Sequence, residues 1–507
     1  MSIVFHVKPV NRTMRFLIAL LILSSSSGCV ATRDINPISG HKRFYGYTWE
    51  EELKIGRESD PQIIAQYGLY DNEQLARYVE HVGNTVLQFS HLRRPGAEPK
   101  FRNLAFHFRL LDSPVVNAFA LPGGYVYVTR GLLAHLENEA QLAVVLGHEI
   151  GHVAGRHASK RAASQAFYKI GLLSGAALGQ GLLGGNAAQQ VLSAGGQGMQ
   201  LLFLRYGRND EREADDVGVE YASMAGYKSS EAAKFFDSLK RINAQSDQHL
   251  PSFMSTHPDP GEREQTIRHH AEVLAKQMPM NKVGGNAFLD QIDGIVLGEN
   301  PRQGFAKDGV FYHPDLKFRF PVPEAFQVIN QPTQVVLVNK SQNAILLLSI
   351  ENDAKTSQAA AEKFKAKKGV RVERDGSIRI SGLLTRFVEA EVQTQDGQPA
   401  RLDAYFIEYG GNVYAFMGYT LSSLYDTYKA TFANTIKGFA VLTDPKILNT
   451  QPTRLHVMTV GKAAAFSSFV SNSNKLPQGW DTERMAILNQ VRARDQIRPG
   501  MRLKVIQ

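Results

Sequence analysis

Leu146-Gly147-His148-Glu149-Ile150-Gly151-His152 is the stretch from which the rest of this chain is best read. On a helix, His148 and His152 stand one turn apart on the same face, so two imidazoles can meet one metal ion. Glu149, beside the first of them, can reach a water held there. Leu142, Val145 and Leu146 precede the motif at helical spacing, and a helix is expected from Glu137 to about Ser159. Two neutral nitrogens completed by one carboxylate make a zinc site of the catalytic kind, with its fourth position open.

The third protein ligand separates the classes of such sites. In one pattern a glycine follows the second histidine by three residues and a histidine comes three further on. Gly155 fits, but position 158 is alanine and His157 is one residue early. On a continuing helix that slip turns the side chain by roughly 100°, so His157, like His135, is expected on a helix surface. The other pattern takes a glutamate from a later helix, and Asn209-Asp210-Glu211-Arg212-Glu213-Ala214-Asp215 supplies one. Glu211 and Glu213 compete, because two residues along a helix turn a side chain by about 200°.

At these residues the chain resembles the family of the HtpX heat-shock proteases and CAAX prenyl proteases, whose Glu-x-x-Ala-Asp signature is matched by Glu211, Ala214 and Asp215. The resemblance spans about residues 45–275. It implies one zinc ion per chain, held by His148, His152 and Glu211, with Glu149 as general base and Asp215 orienting a ligating histidine. It also implies an edge strand at Asn117, Ala118 and Phe119, where an extended substrate adds as another strand. Thr256-His257-Pro258 before an Arg-containing helix matches too. In some members that histidine lies near the metal and takes its open position at rest; His257 could instead stabilise the oxyanion or cap a turn.

Upstream, Arg12 and Arg15 precede the apolar run Phe16–Leu23, four serines, Gly28 and Cys29. Basic, apolar and small residues in that order read as a secretory signal, and the apolar run falls short of the about 20 residues a membrane span needs. Small residues ahead of Gly28-Cys29 resemble a bacterial lipoprotein signal, which implies lipidation of Cys29, and Val30 after it implies outer-membrane delivery. Met14 heads this stretch, so the start could be Met1 or Met14. Cys29 is the one cysteine in 507 residues, so no internal disulfide exists. Lys+Arg of 57 against Asp+Glu of 48 is a mild excess at this length, and the basic run Lys363–Arg374 lacks the interleaved aromatics of a nucleic-acid groove. No nucleic-acid partner is expected.

The expected architecture is multidomain. A signal (1–29) precedes a mainly α-helical, zincin-like metalloprotease domain with a small β-sheet (30–280), whose Gly- and Ala-rich stretch 161–204 is a candidate lid. Asn, Gly, Asp and Pro at 281–308 mark a linker. A small α+β domain (309–445) follows, then a segment (453–507) ending Asp495-Gln496-Ile497-Arg498-Pro499-Gly500, which resembles a LysM module. The function so read is a zinc-dependent metalloendopeptidase on the periplasmic side of the envelope, cutting misfolded or unassembled envelope proteins. The alternatives are a non-proteolytic, chaperone-like assembly factor and a peptidoglycan-binding lipoprotein.

Overall fold

The computed structural model describes residues 32–164, 206–245, 257, 260–394, 397–471, 476–477 and 479–506. The signal-like stretch with Cys29 lies outside them, as does the candidate lid apart from 161–164. No helix among the described residues is long and apolar enough to cross a membrane.

The chain enters through a hairpin, β1 (Thr32–Ile35) and β2 (Lys42–Tyr45). Helix α1 (Trp49–Tyr67) starts at a capping box, in which the Thr48 side chain accepts from Glu51 N and the Glu51 carboxylate accepts from Thr48 N. Helix α2 (Glu73–Leu87) buries Leu75, Val79, Val82 and Val86, a stripe at helical spacing. A three-stranded sheet follows, in the order β3 (His107–Leu111), β5 (Tyr125–Thr129), β4 (Ala118–Leu121). β4 and β5 form an antiparallel hairpin around Pro122-Gly123-Gly124, where φ values of 83° and 87° favour glycine. The short α3 (Arg130–His135) leads into α4 (Glu139–Ala154), capped by Asn138 and buried along its whole length.

Helices α5 (Arg208–Met224), α6 (Ala232–Gln245) and α7 (Pro260–Ala275) complete this layer. α4 and α5 meet backbone to backbone. A Cβ on Gly147 would lie 2.7 Å from the Gly218 carbonyl oxygen, and one on Gly218 would lie 2.6 Å from His148 N. Glycine at both positions therefore sets how closely α5 approaches the His148–His152 face.

The helix carrying the motif is shorter than the sequence suggests. It ends at Ala154, Arg156 takes a left-handed φ of 54°, and residues 157–164 begin a new helical segment. The Arg156 guanidinium fixes this corner: it is buried, donates twice to Glu52 (2.8 and 2.6 Å) and stacks over Tyr45. His157 is consequently buried, which corrects its expected surface position, and His135 is half-buried with Nδ1 2.8 Å from Gly131 O.

The expected linker is also corrected. It holds α8 (Gly285–Ile292), whose Phe288, Leu289 and Ile292 join the apolar core around α2 and α4, with Ile295 and Leu297 beyond it. Next come β6 (Phe305–Lys307), β7 (Val310–His313) and β8 (Phe318–Pro321), joined later by β16 (Ala440–Val441) in a four-stranded sheet. Strands β9 (Phe326–Gln331), β10 (Gln334–Asn339), β11 (Ala344–Ile350), β12 (Arg371–Ile380), β13 (Leu383–Gln393), β14 (Pro399–Tyr409) and β15 (Asn412–Leu421) form the large sheet, in the order β12-β13-β14-β15-β11-β10-β9. α9 (Ser357–Lys365) packs on the sheet through Phe364 against Phe406, and α10 (Tyr425–Lys437) does so through Phe432 against Gly418.

The C-terminal segment runs strand, helix, helix, strand: β17 (Leu455–Thr459), α11 (Phe466–Ser471), α12 (Thr482–Leu488) and β20 (Arg502–Ile506). β17 pairs antiparallel with β20, and the short β18 (Ala464–Ala465) pairs with β19 (Gln496–Ile497). The sequence suggests a separate module, but Leu455, Phe466, Met485, Leu488 and Leu503 share one apolar core with α2, α4 and α6. Lys504 pins the contact. Its buried ammonium donates to Ala134 O and Leu136 O, both at 2.9 Å, and pairs with Glu137 at 2.7 Å. Lys504→Met should therefore destabilise the chain by about 2–5 kcal/mol, because a carboxylate and two carbonyls lose their donor. Denaturant unfolding would measure this, and an unchanged midpoint would show that the segment docks without this lysine.

Candidate metal centre

α4 presents His148 and His152 on the face that α5 covers, and α5 brings Glu211 to them. His257 approaches from the segment ahead of α7. One donor atom from each of these four buried side chains lies within 4.8 Å of every other. His148 Nε2 is 3.0 Å from His152 Nε2 and 3.2 Å from His257 Nδ1, and His257 Nδ1 is 3.0 Å from Glu211 Oε1. The Glu211 oxygens stand 3.7 Å from His148 Nε2 and 3.5 Å from His152 Nε2. Corners of a tetrahedron about 2.0–2.1 Å from its centre lie about 3.3–3.4 Å apart, so this donor set fits zinc.

Charge points the same way. Glu149, Glu211 and Asp215 are buried around one buried guanidinium, that of Arg263. The three buried carboxylates outnumber this one guanidinium, an imbalance that a divalent cation would offset. Arg263 forks onto Asp215 at 2.8 and 2.6 Å and reaches Glu211 at 3.2 Å. Burial alone would raise the Asp215 carboxyl, but Arg263 and His148 outweigh it and hold it at about 2. Glu211 is also held below the usual carboxylate range, its burial outweighed by His257 and Arg263. Glu149 goes the other way, because burial raises its carboxyl more than the nearby cations lower it.

Each residue singled out from the sequence has a place here. Glu149 is fully buried, and neither of its carboxylate oxygens has a hydrogen-bond partner among the described residues; His257 Nε2 is 3.6 Å from Oε1. Asp215 Oδ1 lies 2.9 Å from His148 Nδ1. Glu213, the competitor of Glu211, faces away and takes a bidentate contact from Arg43. β4 is an edge strand, since its outer side carries no strand among the described residues. The Ala118 and Ala120 side chains join the core that α4 shares, whereas Phe119 stacks on Tyr127 at 4.8 Å. The Asn117 side-chain oxygen is buried without a hydrogen-bond partner among the described residues. A narrow cleft lined by Ala120, Leu121, Pro122, His152 and Tyr206 joins the end of this strand to the donor cluster.

No motif or spacing points to Tyr206, whose ring stacks on His152 with centroids 3.9 Å apart. His157, set aside as a surface residue, has Nδ1 2.9 Å from His152 Nδ1. Arg263 was visible only as an arginine on the helix after His257.

Residues 73–271 match the model of peptidase family M48. Over these residues the chain is similar to the M48 peptidases. Its relatives include the mitochondrial metalloendopeptidase OMA1 of Schizosaccharomyces pombe, 27% identical over 51% of this chain and 72% of that one. The beta-barrel assembly-enhancing protease of Escherichia coli is 28% identical over 51% of this chain and 52% of its own length. The putative beta-barrel assembly-enhancing protease of Vibrio cholerae is 33% identical over 45% of each chain. The chain thus spans about half the length of these bacterial relatives. M48 peptidases are zinc-dependent, and this match together with metalloendopeptidases among the relatives supports a zinc metalloendopeptidase.

The M48 donor set should make stability depend on metal. Dialysis against a chelator should lower the unfolding temperature and zinc should restore it. The difference should be worth about 4 kcal/mol at a zinc concentration a thousandfold above Kd. A melting curve indifferent to chelator would exclude a bound metal.

Proposed function

We propose that the chain is a zinc-dependent endopeptidase that hydrolyses peptide bonds of misfolded or unassembled bacterial envelope proteins, from a lipid anchor at Cys29 on the periplasmic side of the outer membrane. The observation that carries the peptidase reading is Glu149, a buried carboxylate without a hydrogen-bond partner among the described residues, beside four converging metal donors. The envelope reading draws on the lipoprotein-like signal at Cys29 and on relatives named for β-barrel assembly.

His148, His152 and Glu211 would hold the zinc, which polarises the scissile carbonyl and acidifies water. Asp215 accepts from His148 Nδ1–H, so that His148 Nε2 faces the metal. An extended substrate adds to the edge of β4 along Asn117, Ala118 and Phe119, through the outward main-chain groups of Ala118 and Ala120, since Asn117 and Phe119 turn theirs toward β5. Glu149 takes a proton from the attacking water and passes it to the leaving amine, a task suited to a carboxyl whose pKa burial has raised. Tyr206 packs on the His152 ring and walls the cleft on that side.

His257 takes the fourth corner of the donor set, where the reaction needs a water, so the arrangement described is a resting one. That corner favours a second reading, an assembly factor that retains zinc for structure. Glu149→Gln separates the two. With casein as an unfolded substrate, it should lower chelator-sensitive cleavage by about 100- to 10,000-fold while leaving zinc content unchanged. Equal cleavage by both proteins would end the peptidase reading. His257→Ala should raise casein cleavage by freeing the fourth corner; zinc-loaded protein that stays inert with and without His257 would support the assembly factor.

A further inference from the structure

The two histidines of the motif are braced differently. His148 Nδ1 meets the Asp215 carboxylate directly, at 2.9 Å. Among the described residues His152 Nδ1 meets no carboxylate; its neighbour is another imidazole, His157 Nδ1, at 2.9 Å. His157 Nε2 in turn lies 3.0 Å from Glu213 Oε2. Glu213 is gripped by both ends of the Arg43 guanidinium, at 2.9 and 3.0 Å. Four residues from three distant parts of the chain therefore form one line, running from the donor cluster to the N-terminal hairpin.

Donor and acceptor bookkeeping allows one assignment along this line when a metal is bound. His152 Nε2 points into the donor cluster and must present a lone pair there, so its proton sits on Nδ1. That N–H donates to His157 Nδ1, which must then be the bare nitrogen. The remaining proton of His157 is on Nε2 and is donated to Glu213. Glu213 accepts it as a carboxylate and is held in that state by Arg43. Every group is satisfied, and each fixes the tautomer and ring plane of the next.

Local backbone geometry is committed to this contact. A Cβ on Gly155 would lie 2.2 Å from His157 Nε2, so glycine is required for the ring to fold back over the corner. The left-handed Arg156 makes the reversal, and its guanidinium is tied to Asp34 of the same hairpin at 2.7 Å. The hairpin thus reaches the corner twice, through Arg43 and through Asp34.

We infer that His157, Glu213 and Arg43 are positioning residues for the ligand His152, and that they couple the N-terminal hairpin to the metal centre. This inference rests on the reading of His148, His152 and Glu211 as zinc ligands. Glu213 and Arg43 suit a test because their side chains keep 22% and 29% of their exposure, so truncating them leaves no sealed cavity. Zinc affinity would be measured on the purified chain by competition with a chelating indicator. The cobalt(II) absorption spectrum would report ligand geometry, and the melting temperature of the metal-free protein would report the fold.

Glu213→Ala should weaken zinc binding by about 10- to 100-fold and alter the cobalt bands, with metal-free melting unchanged. Arg43→Ala should act in the same direction by a smaller factor. His157→Gln should retain affinity better than His157→Ala, since an amide can accept from His152 and donate to Glu213. Wild-type zinc affinity and cobalt bands in Glu213→Ala would overturn the relay alone. Weakened binding with unaltered cobalt bands would do the same, by assigning Glu213 to the fold. A wild-type chain that takes up no zinc would overturn the peptidase reading and the relay together.

Discussion

Lone pairs from three buried imidazoles and a buried carboxylate converge between the helices, and the rest of the domain is arranged around that fact. Donor atoms 3.0–3.7 Å apart cannot all satisfy one another, and an unmatched buried charge costs several kcal/mol. A cation is the simplest remedy. Until one binds, the fold itself must hold the cluster together, and it does so with α5 pressed against α4 at Gly147 and Gly218 and with Arg263 across two carboxylates. A side chain at either glycine would separate the helices and carry Glu211 away from the histidines.

His148, Glu149 and His152 were legible from the sequence because their relation is a property of helix geometry and needs no tertiary information. Glu211 was harder, since two residues of helix separate it from Glu213 and only the motif resemblance chose between them. The structure gives the physical reason for the difference: one carboxylate faces the donors, and the other closes on His157 and Arg43. His157 is not where helical spacing puts it, because the helix ends at Ala154 and the chain reverses at Arg156. Gly155 was noticed, but its use is to let a ring approach the backbone, which spacing cannot show. Tyr206 had no local pattern at all, because its place depends on where α5 begins relative to His152.

Composition misled in a regular way at 281–308. Asn, Gly and Asp there serve as turn and cap residues around α8, whose Phe288, Leu289 and Ile292 are core. The C-terminal segment was legible only as a resemblance to a LysM module. Its docking was not legible, because that rests on pairs such as Lys504 with Glu137 and Gln490 with Gln141, far apart in sequence.

These long-range pairs bear on the site through the two ends of α4. Near the N-terminal end, Gln141 exchanges amide hydrogen bonds with Gln490 of the C-terminal segment, and Asn138 caps the helix. At the other end, Asn36 of the N-terminal segment donates to Gly155 O while Asp34 and Glu52 hold Arg156. A metal site needs its donors held within about 0.5 Å of working geometry, and α4 carries His148 and His152, with Glu149 between them. Segments from both ends of the described chain thus hold one helix in place, at the cost of contacts that close only after long loops have formed. Because those closing contacts are non-local, the metal-ready geometry belongs to the assembled fold and not to the peptidase segment taken alone.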